Sequence, residues 1–227
     1  MMPNRRRALV ALSLLAPVPS LGVIAAMVVA PGPIGQTMFL AAKIWLLAFP
    51  AAWYLMVEKG RASWSPPRRG GLANGAFSGL VLAATIVVGA VLVGAHQMDL
   101  APLNEKVQEM GLASPLSYFA GAAAWTLVNS LIEEYVYRWF VLRQCEVLLP
   151  GPAALVASAT VFTAHHVIAL SQYLDPLFTV VASAGVFVGG LIWAWLYRHY
   201  RSIWPGWISH VFADVAVFAV GGWLLFG

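Results

Sequence analysis

The sequence predicts an all-α fold, a polytopic transmembrane helical bundle of about seven spans with its N-terminus in the cytoplasm. Three observations lead there. Of 227 residues, 61% are hydrophobic and only 10% are charged, and the mean hydropathy is +0.80, whereas a soluble domain carries about 25% charged residues. Seven stretches approach the roughly 20 predominantly apolar residues that a span requires. The Lys and Arg residues gather in alternate loops. A membrane barrel would instead read as alternating segments of about 10 residues, and no part of the chain alternates in that way.

Taken in order, the first span is expected over 8–30, behind Arg5, Arg6 and Arg7. It resembles a signal peptide, but its apolar run exceeds the roughly 7–15 residues of a secretory core segment. It is therefore read as an anchor, kinked at Pro17 and Pro19. The second and third spans are expected over 34–57 and 72–95, joined by a loop carrying Lys59, Arg61, Arg68 and Arg69. The segment 96–114 is mildly amphipathic and predicts a short interfacial helix. The remaining spans are expected over 115–140, 152–171, 177–197 and 203–225, with the fourth helix continuing past the membrane to about Glu146. No repeat, low-complexity tract or linker divides the chain, which reads as one integral membrane domain, 1–227.

Placing Arg5 to Arg7 inside also places the 58–70 loop, Arg138, Arg143, Arg198 and Arg201 on or near that side. Eleven of the 13 Lys and Arg residues then share it, leaving Lys106 outside and Lys43 within the second span. This asymmetry predicts a plasma-membrane protein, by its character a bacterial inner-membrane one, with its N-terminus in and C-terminus out. The net charge of +4 follows from topology and does not point to nucleic acid. Trp64, Trp139, Trp204 and Trp207 fall near span ends, where aromatic belts form. Cys145 is the single cysteine; no intramolecular disulfide is possible, and its place beside Arg143 and Glu146 reads as structural.

Three clusters of ionisable residues interrupt the apolar spans: Glu133-Glu134-Tyr135-Val136-Tyr137-Arg138, Phe162-Thr163-Ala164-His165-His166 and His210-Val211-Phe212-Ala213-Asp214. A charge at the centre of a membrane helix costs roughly 2.5–3.5 kcal/mol even on the lenient insertion scale, so these groups are expected to meet in an interior pocket. Glu134 and Arg138, four apart on a helix, can pair. Glu133 is turned about 100° from Glu134 and can point into the bundle as a general base or acid. Phe162 shares a face with His166, and His165 is rotated off it. His210 and Asp214 repeat the four-residue relation, so Asp214 can orient the imidazole. Any one cluster alone could be a structural ion pair. Three on separate spans are more specific.

This trio, Glu133-Glu134-x-x-x-Arg138, Phe162-x-x-x-His166 and His210-x-x-x-Asp214, resembles the signature of the CPBP family of intramembrane endopeptidases, also called the CAAX protease and bacteriocin-processing or Abi family. The resemblance covers about 115–225, which it implies to be the catalytic core; residues 1–114 match no motif. It implies that Glu133 and His166 activate a water for attack on a peptide carbonyl. It further implies that His210 and Asp214 stabilise the oxyanion, with Glu134, Arg138 and Phe162 supporting the site. Asp214 complicates that role, because an ionised carboxylate cannot donate a hydrogen bond to an oxyanion. Either Asp214 is protonated, or it orients an imidazolium His210.

No cofactor is expected. Glu133, His166 and His210 could instead ligate a catalytic zinc by donor type, but there is no H-E-x-x-H motif, and the resemblance favours water activated without a metal. The expected partners are the lipid bilayer and a membrane-anchored or lipidated protein or peptide substrate. The alternative function is a non-catalytic immunity factor or proton-coupled transporter using the same cluster. Transporters commonly show internal pseudo-symmetry between halves, and none is visible here.

Depth sets a further condition. At 1.5 Å per residue, His210 lies about 10 Å along the seventh span and His166 about 21 Å beyond Pro152. The pocket is expected in the cytoplasmic half, with the fifth helix starting well outside the bilayer.

Overall fold

Long apolar runs leave the backbone no hydrogen-bond partner in lipid except itself, which makes helix the expected state of every span. A computed structural model describes residues 4–92 and 99–227, and among these every regular element is helical. Six helices are long and apolar enough to cross a membrane: α1 (Arg5–Val29), α2 (Pro33–Val57), α3 (Leu72–Leu92), α6 (Gly151–Leu170), α7 (Pro176–Tyr200) and α8 (Trp204–Phe226). Between α3 and α6 lie the short α4 (Ala101–Glu109) and a long helical run, α5, from Pro115–Ala124 to Arg143–Leu148. Of the long helices, α5 alone fails on apolarity, because it carries Glu133, Glu134, Arg138, Arg143 and Glu146. With it the bundle has the seven expected spans. The expected end of the third span (93–95) and start of the following segment (96–98) lie outside the described residues.

Local chemistry accounts for the breaks. At Pro17, which has no N–H to donate, α1 passes through a turn before resuming. The α5 run begins at a Ser114 capping box with Ser117 and a Pro at its first position. It is not uniformly α-helical: Trp125–Asn129 and Glu134–Leu142 form π turns on either side of Ser130–Glu133, a feature common at functional sites. The α7 helix starts on an Asp175 cap and stops at Arg201, which takes a left-handed conformation.

One end of the bundle collects the basic residues. Arg143 pairs with Glu58 at 3.3 Å, and Arg201 and Arg198 pair with Glu146 at 2.7 and 3.8 Å. Arg5 donates to the Leu148 carbonyl at 3.3 Å. The start of α1, the end of α2, the end of α5 and the end of α7 therefore meet, as alternating spans require. Cys145 is buried there as a free thiol.

The most extensive helix pairing among the described residues is α3 with α8. Gly75 and Gly79 of α3 lie against the backbone of Pro205 and Ser209, and a Cβ at Gly79 would come 2.8 Å from the Ser209 Cα. Such small-residue seams let membrane helices approach through their backbones. Ser78 crosses the same seam to donate to Ser209 Oγ at 3.1 Å. The opposite side of the core packs Ala11 and Leu15 of α1 and Leu46 of α2 against Val136, Phe140 and Val141 of α5.

Candidate active site

The three polar clusters converge. Glu133, Glu134 and Arg138 from α5, His210 from α8 and Phe162 from α6 are all buried, while His165, His166 and Asp214 are partly so. Both histidine levels reach the same ring: the Phe162 centroid is 4.6 Å from that of His166 and 6.1 Å from that of His210.

Glu134 and Arg138 pair as their spacing requires, Nε to Oε1 at 3.4 Å, with both side chains fully enclosed. The guanidinium has no hydrogen-bonded partner among the described residues. Its charge is instead set against aromatic faces, 4.4 Å from the Phe162 centroid and 5.4 Å from that of Trp193, a geometry in which the ring quadrupole attracts the cation. Gly206, in the first turn of α8, leaves the room that Glu134 Oε2 occupies; a Cβ there would strike that oxygen.

Ring nitrogens can be assigned from their partners. His166 Nδ1 lies 2.9 Å from the Phe162 carbonyl, which can only accept, so Nδ1–H donates, and in the neutral ring Nε2 keeps its lone pair. His210 Nδ1–H donates to Glu134 Oε1 at 3.2 Å. Its Nε2 faces two further carboxylates, Glu133 Oε2 at 3.7 Å and Asp214 Oδ1 at 3.6 Å. The ring stacks on Trp193 at 3.8 Å, and the Trp193 indole N–H is tied to Ser209 Oγ at 3.0 Å. His210 is thereby fixed on both faces of its function, by a carboxylate at one nitrogen and an indole beneath the ring.

Glu133 is the meeting point. Its Oε1 accepts from Asn129 Nδ2 at 2.9 Å and lies 4.0 Å from His165 Nε2. It lines a small cavity of about 30 Å³ between α1, α2, α5 and α6, walled by Pro19, Phe39, Lys43, Tyr137 and His165.

His165 is where the structure departs from the helical-phase reading, which turned it away from the site. It hydrogen-bonds Tyr137 Oη at 3.1 Å, stacks on that ring and approaches Glu133. Ligand atoms of Glu133, His165 and His166 lie within 4.8 Å of one another. By donor type these three could hold a metal such as zinc. His165 takes the place that the sequence reading gave to His210 in such a set.

Asn129 and Lys43 were also missed. Asn129 stands four residues before Glu133 on α5, a local signal that was readable. Lys43 was visible as a lone cation inside the second span, and such groups face a partner; it donates to Asn129 Oδ1 at 2.5 Å.

Residues 115–216 match a family model described as Rce1-like, type II CAAX prenyl endopeptidase. This part of the chain is similar to the CAAX-protease family. The match spans all three clusters, from Glu133 to Asp214, and supports a membrane-embedded protease of the CAAX type. No curated protein and no solved structure matches the chain. Within the matched segment, α5, α6 and α8 supply the motif residues and α7 supplies Trp193. The cavity beside Glu133 is closed by α1 and α2, which lie before the matched segment.

Proposed function

We propose that the protein is an intramembrane endopeptidase that hydrolyses a peptide bond near a terminus of a membrane-anchored or lipid-modified protein, using water activated by Glu133 and His166. The observation that carries this reading is the setting of Glu133. One of its oxygens is held by Asn129 and the other is turned toward His210. The neighbouring His166 presents an Nε2 lone pair, and the carboxylate borders a cavity.

In this reading Glu133 takes a proton from water as the oxygen attacks the carbonyl carbon, and later delivers it to the leaving amine. His166 Nε2 accepts the second water hydrogen and orients the nucleophile. The oxyanion is met by His210. With Nδ1–H committed to Glu134, an Nε2 that donates belongs to an imidazolium, whose charge Glu134 and Asp214 flank. In this reading Asp214, 3.6 Å from Nε2, supports the positive charge of that ring. Glu134 and Arg138 hold His210 from behind. The matched family description names prenylated substrates, and a lipid-modified cysteine near the cleavage position is one member of the class proposed here. The basic end of the bundle supports an orientation with the N-terminus in and C-terminus out, in a bacterial inner membrane.

The test is cleavage of a membrane-anchored reporter by protein purified in detergent. Glu133→Ala and His166→Ala should each abolish cleavage while eluting as folded protein, and chelators should leave the wild type active. Full activity in Glu133→Ala would sink the mechanism. Inhibition by chelators, reversed by zinc, would replace it with a metal held by Glu133, His165 and His166.

A further inference from the structure

The polar cluster extends into the half of the chain that precedes the CAAX-protease match. Lys43 sits mid-way along α2, half-buried, with its ammonium 5.4 Å from the Phe39 ring and 5.2 Å from that of Trp125. Its Nζ donates to Asn129 Oδ1 at 2.5 Å, and Asn129 Nδ2 donates to Glu133 Oε1 at 2.9 Å. The direction of this chain is forced by chemistry. An ammonium can only donate and a carboxylate oxygen here only accepts, so the amide between them must present its oxygen to Lys43 and its nitrogen to Glu133.

We infer that Lys43 is a positioning residue for Glu133, acting through Asn129; this rests on the endopeptidase reading above. The relay occupies Oε1 and leaves Oε2, 3.7 Å from His210 Nε2, as the oxygen available to a water. A direct Lys–Glu pair would not distinguish the two oxygens, because an ammonium can turn its three donors to either one. The amide spacer places a positive charge near Glu133 while engaging a single lone pair. It also couples α2 to α5, so the carboxylate keeps one rotamer only while the two spans stay in register.

The experiment compares wild type with Lys43→Met, Lys43→Arg, Asn129→Leu and the double variant Lys43→Met/Asn129→Leu, each reconstituted in liposomes. Loss of orientation should lower kcat about ten- to a hundredfold in Lys43→Met and in Asn129→Leu, with KM within twofold of wild type. The double variant should be no worse than the poorer single one, because both cut the same chain, and Lys43→Arg should recover most of the activity. A second reading is independent of proteolysis: the rate at which a hydrophobic carbodiimide labels Glu133, mapped by mass spectrometry. It should change at least threefold, and alike, in Lys43→Met and Asn129→Leu. A labelling rate and kcat in Lys43→Met equal to wild type would overturn the inference, as would fully additive losses in the double variant. If no membrane-anchored substrate is cleaved by wild type, the labelling comparison still decides the relay.

Discussion

The two halves of this bundle are built on different terms. The helices α5 to α8 carry Glu133, Glu134, Arg138, His166, His210 and Asp214, and hold these charged groups paired or caged within a largely apolar core. Among the described residues, the helices α1 to α3 hold Lys43 as their intramembrane charge, which reaches the site through Asn129, and otherwise meet it through apolar walls and glycines. The difference teaches that the polar groups and most of the shape around them are supplied separately. One half fixes which polar atoms meet, and the other helps fix how closely they are held.

The sharpest way to break this division is to remove a reacting group. Glu133→Gln preserves shape and should reduce kcat about 10²- to 10⁴-fold, the range that a general base contributes; turnover of the reporter under saturating substrate measures it. Next in size is the cage. Arg138→Met leaves Glu134 enclosed without its cation, and breaking a buried pair on one side costs about 3–5 kcal/mol, which thermal unfolding in detergent should register as a large fall in midpoint. In the half without motifs, Gly79→Leu forces a side chain onto the α8 backbone and should destabilise by about 1–3 kcal/mol, with activity falling further than stability because His210 rides on the displaced helix. Equal losses of activity and stability would mean that the seam serves folding alone. The smallest effect is expected outside the bundle: Lys106→Ala removes a 2.8 Å pair with Glu109 on α4 and should change stability by less than about 1 kcal/mol, as exposed pairs do.

What could be read beforehand was local. Apolar length gave six of the spans, and the four-residue phase gave the pairs Glu134 with Arg138 and His210 with Asp214, because both depend only on residues within one helix. His165 was misplaced because a phase argument treats a side chain as a direction, whereas an imidazole also has reach, and Tyr137 on a neighbouring helix turns it inward. The π turns in α5 escaped for a related reason: nothing in Glu134 to Leu142 breaks an α-helix locally, and no Pro marks the change. The link from Lys43 to Asn129 joins residues 86 apart, so only the packing of α2 on α5 could reveal it. Phase alone likewise left open whether Asp214 meets the oxyanion or His210. Its 3.6 Å approach to Nε2 supports the second.

The glycine seam between α3 and α8 bears on what may be separated from what. A CAAX-protease segment lifted out at 115–216 would keep every motif residue, yet α8 would be cut ten residues short of Phe226 and would lose the helix against which its backbone rests. The cavity would lose two of its walls in the same stroke. The polar signature is thus a passenger on a larger frame, and transplanting it to another membrane protein would require carrying Gly75 and Gly79 along as faithfully as Glu133.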